Sequence, residues 1–243
     1  MSVVLVTGAS RGIGRAIVER FAREGCTVVA CARGQAGLEA LRADLPGVEA
    51  IACDLRDPAA VDALAADVLA RHGAVDLLVN NAGAYRPGQI ASEDDDALLE
   101  MLQANLFGAY RLTRRLLPAM VARRCGMVLN MCSTASIAAY PNGGSYSIAK
   151  HALHGFSRNL REEMKPHGVR VVALLPGATW TSSWDGAPLP EQRLMPADDV
   201  AAVAWAAWTL SARSVVEDIV MRPQRGDIGE ADFFVEGGGD VPA

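Results

Sequence analysis

The sequence predicts a single α/β domain, a doubly wound sheet of seven parallel strands flanked by helices. Three observations support this. Short apolar runs alternate with longer helical patterns along all 243 residues. The runs are continuous in Val, Leu, Ile and Ala, the mark of strands buried on both faces. A glycine-rich stretch, Thr7-Gly8-Ala9-Ser10-Arg11-Gly12-Ile13-Gly14, follows the first run directly.

The first strand is expected over 3–7, and the glycine stretch then opens a helix that runs to about 23. Further strands are expected over 27–31, 48–53 and 75–79. Between the last two, Asp57-Pro58 sets a capping carboxylate before a first-turn proline, which starts a helix. Ser92, followed by Glu93, Asp94, Asp95 and Asp96, reads as a cap plus acidic charge at a helix N-terminus, where the dipole favours it. The acidic run is therefore assigned to a helix start and not to a cation site. Helices over 98–120 and 145–165 flank a strand over 127–132, and a sixth strand follows over 169–175. Residues 177–196, rich in Gly, Pro, Ser and Trp, are irregular and precede a helix starting near Ala197. A last strand is expected over 215–221, and a mobile tail over 237–243.

This length suits one large domain with a substantial core, spanning 1–243. The chain is 51% hydrophobic and 21% charged, with a net charge of −5. Such a balance gives no electrostatic reason to expect nucleic acid or an anionic membrane as a partner. No window approaches a membrane span, and a strand beginning at Val3 leaves no room for a signal peptide. A cytosolic protein is expected. Cys26, Cys31, Cys53, Cys125 and Cys132 form no C-x-x-C pair and read as small buried hydrophobes kept reduced. His151 and His154 share a helical face but lack companion carboxylates, so no metal site is expected.

Gly8, Gly12 and Gly14 sit between the first strand and its helix. A tight turn there lets backbone approach a pyrophosphate, which rests on the helix N-terminus. The second strand ends Ala30-Cys31-Ala32-Arg33, without the acid that would hold ribose hydroxyls in an NAD site. Arg33 and Arg11 instead supply two guanidiniums suited to a 2′-phosphate, which predicts NADP(H). Asp54, followed by Leu55, is either an acceptor for the adenine amino group or a turn residue; both readings stay open. Asn80-Asn81-Ala82-Gly83 after the fourth strand permits close packing against the adenosine.

Tyr146 and Lys150 lie one helical turn apart on one face, and Ser133 ends a strand thirteen residues before the tyrosine. A phenol of pKa about 10 is a poor base at neutral pH. The lysine charge, with that of an oxidised nicotinamide, is expected to lower it, while the serine hydroxyl holds the substrate oxygen.

On these residues the chain resembles the short-chain dehydrogenase/reductase family, of the NADP(H)-preferring type. The resemblance runs in order through T-G-A-S-R-G-I-G, Asp54-Leu55, N-N-A-G, Asn105 in A-N-L-F-G, Ser133, Y-S-I-A-K, and Pro176-Gly177 followed by Thr181. It implies a Rossmann fold, with Tyr146 as general acid in reduction and base in oxidation. It also implies that Lys150 lowers the tyrosine pKa and binds the nicotinamide ribose, and that Ser133 polarises the carbonyl. Asn105 would hold a water between Lys150 and solvent. The backbone at Thr179 and the hydroxyl of Thr181 would fix carboxamide and pyrophosphate. The helices over 98–120 and 145–165 would pair two subunits, with Leu106, Leu112 and Leu116 either in that interface or facing the sheet. A homodimer or homotetramer is expected.

Where the family commonly ends in a V-D-G-G-type segment, this chain has Val216-Glu217-Asp218-Ile219-Val220-Met221-Arg222-Pro223. That ending resembles a branch of NADP-dependent reductases acting on small hydroxy acids and assorted ketones. Residues 177–196 should form a lid over the nicotinamide. Trp180 and Trp184 in it, with Tyr85 and Tyr140 opposite, are the candidate substrate walls, although the indoles have an equally simple role packing the lid down. Trp205 and Trp208 read as core or interface, and Arg86 and Arg193 are candidate clamps for a carboxylate. The reading is an NADPH-dependent carbonyl reductase, reversible as an alcohol dehydrogenase. Two alternatives stand beside it. One is a 3-oxoacyl-thioester reductase, with Arg124 and His167 where carrier-docking cations are expected. The other is a non-catalytic NADP(H)-sensing regulator.

Overall fold

Five runs of mostly buried side chains and two half-buried edge segments become seven parallel strands in the computed structural model, which describes residues 1–229 and Asp232. The tail expected over 237–243 lies outside the described residues. The strands are β1 (Val3–Thr7), β2 (Thr27–Ala32), β3 (Glu49–Ala52), β4 (Leu77–Asn80), β5 (Gly126–Met131), β6 (Val169–Pro176) and β7 (Asp218–Met221). They line up as β3-β2-β1-β4-β5-β6-β7, every neighbour parallel. Strand order reverses between β1 and β4, which opens a crevice at their carboxyl ends. Helices α1 (Gly12–Arg23), α2 (Gln35–Asp44), α3 (Pro58–His72), α4 (Ala97–Leu102), α5 (Gly108–Arg123), α6 (Gly144–Met164) and α7 (Ala197–Thr209) cover both faces.

The continuity of the apolar runs has a direct cause in the packing. On β1, Val4 and Val6 enter one core with Ile17, Phe21, Leu129 and Ala204, while Leu5 between them enters the other with Val61, Leu64, Leu112 and Leu116. Alternate side chains thus point to opposite faces, and both faces are dry. Each fully buried leucine contributes about 2 kcal/mol of transfer free energy. Trp205 stands edge-on to Phe21 at 5.1 Å, and Trp208 lies under the Arg170 guanidinium at 5.4 Å, so both indoles serve the fold.

Several expectations are corrected. Ser92 does not cap a helix: its hydroxyl donates to the Gln89 carbonyl, and α4 begins at Ala97 behind an uncapped Asp96. The single helix expected over 98–120 is interrupted by a π-helical turn over Gln103–Phe107. Leu112 and Leu116 are fully buried and Leu106 packs inward, so these side chains face the sheet and not a partner. Phe107, Tyr110 and Ile148 are the exposed apolar side chains of that surface. Cys31, Cys53 and Cys132 are buried, but Cys125 is exposed. The Asp57-Pro58 start holds, with the Asp57 carboxylate accepting from the Ala59 amide at 2.8 Å.

Candidate active site

The carboxyl ends of β1 and β4 build a turn in which side chains have no room. Gly8 and Gly12 have positive φ, 65° and 54°, and a Cβ on Gly14 would lie 2.3 Å from the Gly8 carbonyl oxygen. Asn81 closes the turn from β4: its side-chain amide donates to the carbonyls of Thr7 (2.9 Å) and Gly8 (3.2 Å). The Thr7 hydroxyl accepts from the amides of Asn81 and Ala82, both at 3.0 Å. A cradle that any Cβ would fill, at the mouth of the twelve-residue α1 with no acidic residue in its first turn, fits a pyrophosphate. Thr181 lies over it, its methyl 3.0 Å from where a Gly12 Cβ would stand. Pro176 ends β6, and Gly177 donates to the Met221 carbonyl at 2.8 Å. Thr179 is buried, its hydroxyl turned back onto the Gly177 carbonyl.

Arg11 and Arg33 are exposed on either side of the Ser10 turn, and neither pairs with an acid among the described residues. Ala32 leaves no carboxylate between them. Asp54 forms a local turn with Arg56. Arg56 donates to it from both guanidinium and backbone, and holds its carboxyl down to about 2. Leu55 packs against Gly108 of α5, where a Cβ would come within 2.6 Å of it.

At the ends of β5 and α6 the four candidate catalytic residues converge. Ser133 caps a short 3₁₀ turn, accepting from the Ala135 amide at 3.1 Å, and its hydroxyl favours the ionised form of the nearby Tyr146 phenol. Lys150 is buried, donates to the Met131 carbonyl at 2.9 Å, and lies 5.8 Å from the centre of the Tyr146 ring. Asn105, also buried, sits within the π-turn. Its amide donates to the carbonyls of Ala84 and Met101, both at 3.0 Å. The missing Cβ of Gly83 would fall 2.6 Å from the Asn105 oxygen and 3.6 Å from the Lys150 ammonium, so that glycine lets the two approach.

In the chain without cofactor, burial raises the Tyr146 phenol and the Ser133 hydroxyl opposes that rise. The same exclusion of water pushes the Lys150 ammonium down to about 8. Removing water penalises phenolate and ammonium alike. Protein groups alone therefore keep the phenol protonated.

Tyr85 stands edge-on to Tyr146, with ring centres 5.0 Å apart, and burial pushes the nearby Tyr140 phenol up. Tyr85 and Tyr140 form one wall. Trp180 is held through backbone bonding with Met195, and Trp184 ends a short turn; both indoles are half-buried. Neither carboxylate-clamp candidate is available. Arg86 pairs with Asp94 (2.5 Å) and Glu100 (3.1 Å). Arg193 is buried against Asp232 and the carbonyls of Gly226 and Asp227. No cluster of potential metal ligands occurs among the described residues. No helix there is long and apolar enough to cross a membrane.

Sequence reasoning missed two contributors. The π-turn that presents Asn105 has no local signal, and Glu93 reaches α6 across 52 residues of sequence.

Comparison with known proteins agrees with this geometry. A Streptomyces coelicolor protein provisionally named a ketoacyl reductase is 40% identical over 181 residues, covering 72% of this chain and 69% of its own length. A sepiapterin reductase of Chlorobaculum tepidum is 32% identical and covers 93% of this chain and 98% of itself. Other relatives are matched over less of their own length, down to 58%. Among solved structures, the closed form of a serine dehydrogenase complexed with NADP+ superposes with a TM-score of 0.86 at 30% identity, covering 99% of both chains. The profile of the short chain dehydrogenase family matches residues 2–189. The parallel seven-stranded sheet, its glycine cradle and this match together make the chain a member of the short-chain dehydrogenase/reductase family, and so an oxidoreductase.

Proposed function

We propose that this enzyme reduces a neutral ketone or aldehyde to an alcohol with NADPH, and runs in reverse as an alcohol dehydrogenase. One observation carries the reading: a protonated phenol, a serine hydroxyl and a buried ammonium meet beside an aromatic wall, at the end of a cradle shaped for a dinucleotide. NADPH, when bound, supplies the hydride. The chain's own residues supply position and proton. Ser133 donates to the carbonyl oxygen and holds it beside Tyr146. The phenol gives its proton to that oxygen as negative charge develops there. Lys150 binds the nicotinamide ribose, and Asn105 orders the route by which the proton is replaced from solvent. Gly8, Ser10, Gly12, Ile13 and Gly14 hold the pyrophosphate, with Thr179 and Thr181 closing over it.

Arg11 and Arg33, unpaired with described acids, favour NADPH over NADH, and the NADP+ bound by the serine dehydrogenase relative points the same way. The neutral substrate class is supported by the two candidate clamps, since Arg86 is paired with Asp94 and Glu100 and Arg193 with Asp232. In the carrier-docking alternative Arg124, which donates to the Pro166 carbonyl at 2.9 Å, would supply a docking cation. The sensor alternative has no use for a complete proton-transfer set. Residues 177–196 act as the lid, and a cytosolic homodimer or homotetramer belongs to the same proposal.

The test is NADPH consumption, followed by absorbance, across aromatic ketones, oxo acids and their esters, semialdehydes and acyl thioesters. Tyr146→Phe is expected to lose at least about a hundredfold in kcat, the scale of general-acid catalysis, with NADPH binding retained. Full activity in that variant, or preference for free oxo acids over their esters, refutes the reading.

A further inference from the structure

We infer that Glu93 is a positioning residue: its carboxylate clasps the loop over 84–96 to the start of α6 and thereby sets the gap between Tyr85 and Tyr146. The inference rests on Tyr146 being the proton donor of the reaction proposed above. Glu93 accepts from the Ser145 amide through both oxygens, at 3.0 and 3.2 Å, and from the Ser145 hydroxyl at 2.5 Å. Ser145 is buried and immediately precedes Tyr146. These bonds hold the Glu93 carboxyl below its ordinary value, so it carries its charge at neutral pH. α6 is twenty-one residues long, and its own capping position, Gly143, has no side chain to offer. A charged acceptor from another element satisfies those amides and lies at the favourable end of the helix dipole.

The surroundings are shaped for this carboxylate. A Cβ on Gly88 would lie 2.4 Å from the Glu93 Oε1, and one on Gly144 would lie 2.2 Å from the same atom. Two glycines, 56 residues apart, thus clear the space that one side chain fills. The clasp is reinforced on the loop itself. The Gly88 amide donates to the Asn142 carbonyl at 3.0 Å, and the Gln89 side chain to that of Asn142 at 3.0 Å. Tyr85, three residues before Gly88, meets the Tyr146 ring edge-on at 5.0 Å. The loop therefore carries a wall of the substrate site, and Glu93 ties it to the helix that carries the proton donor.

The test compares Glu93→Ala, Glu93→Gln and Gly88→Ala with the natural protein. Gly88 has no positive φ, so alanine there acts by displacing the carboxylate. Hydrogen exchange is expected to accelerate on the order of tenfold in peptides over 84–96 and 143–148 of Glu93→Ala, and not in the sheet. On whichever carbonyl the natural enzyme reduces, kcat per active site should fall on the order of tenfold, with the NADPH Kd within about twofold. Glu93→Gln, which keeps one acceptor oxygen, should recover most of the loss, and Gly88→Ala should reproduce it. Unchanged exchange in those peptides, acceleration spread through the sheet, or unchanged kinetics each overturns the inference. If the natural protein reduces no carbonyl, the reductase reading fails separately, and the exchange experiment still decides the clasp.

Discussion

Replacing Lys150 with methionine should change how stability depends on pH, and the size of the change follows from burial. The ammonium is fully enclosed, and its pKa falls from the ordinary 10.5 to about 8 because water is excluded from it. A basic group with a lowered folded-state pKa destabilises the fold while it must stay charged. That penalty is present in full below about pH 8 and fades as pH rises toward 10.5, where the unfolded chain also loses the proton. At roughly 1.4 kcal/mol per unit the full penalty is about 3 kcal/mol, of which about 2–3 is relieved between about pH 7 and about pH 10. Methionine keeps most of the volume but not the hydrogen bond to the Met131 carbonyl, a loss of about 1–3 kcal/mol that does not depend on pH. The informative quantity is therefore the difference between the two pH curves, in which the lost bond, the packing change and every other titrating group cancel. Urea unfolding of both proteins without cofactor, at several pH values, measures it. The natural protein should gain about 2–3 kcal/mol on the variant across that range. Parallel curves would show that Lys150 is solvated, and the electrostatic account of the site would fail with it.

Arg33→Asp should cut the preference of kcat/KM for NADPH over NADH by at least about tenfold, since it exchanges an attraction for the 2′-phosphate for a repulsion. Equal relative kcat/KM in variant and natural enzyme would count against the cofactor assignment. Gly14→Ala drives a Cβ to 2.3 Å from the Gly8 oxygen and 2.4 Å from the Asn81 amide nitrogen. It should cost about 1–3 kcal/mol and weaken NADPH binding. Gly155→Ala, mid-way along α6 with nothing within 4 Å of its Cβ, should instead stabilise by about 0.5–1 kcal/mol. Denaturant midpoints and cofactor titration read both, and equal effects at the two glycines would contradict the cradle geometry.

The central strands were legible because each has a core on both faces, so nothing polar interrupts 77–79 or 171–175. Strand limits were less legible where a polar residue bonds beside the ladder. The Asp76 carboxylate accepts from the Val3 amide at 2.8 Å, so β4 starts after it, although buried Val75 continues the apolar pattern. The edge strand β7 is shorter than expected because its ladder with β6 covers Asp218–Met221, with one further bond from the Ala173 amide to the Glu217 carbonyl at 2.8 Å. Ser133, Tyr146, Lys150 and the glycines announce themselves through type and spacing. Glu93 does not. Its neighbours Asp94, Asp95 and Asp96 make an acidic helix start the natural local reading, and only tertiary contact with Ser145 separates it from them. The burial of Tyr146 is not legible either: Tyr-x-x-x-Lys spacing fixes proximity, while depth of burial is a property of the whole fold.

That burial bears on direction. Excluding water raises the phenol and lowers the ammonium, yet at neutral pH both still hold their protons, since about 8 remains above neutrality. The pair is then in the state that gives a proton to a developing alkoxide. Oxidation of an alcohol requires the opposite state, a phenolate, which burial of the phenol disfavours. The equilibrium between carbonyl and alcohol belongs to substrate and cofactor, so the protein cannot choose it. What the site sets is the pH at which each direction runs well. Turnover in reduction should persist to the acid side of neutrality, where the phenol stays protonated, and turnover in oxidation should climb as pH rises. The positive charge of the oxidised cofactor is what narrows that difference, because it stabilises the phenolate the protein alone disfavours. A reductase with NADPH bound therefore meets its substrate with the proton already in place on the phenol.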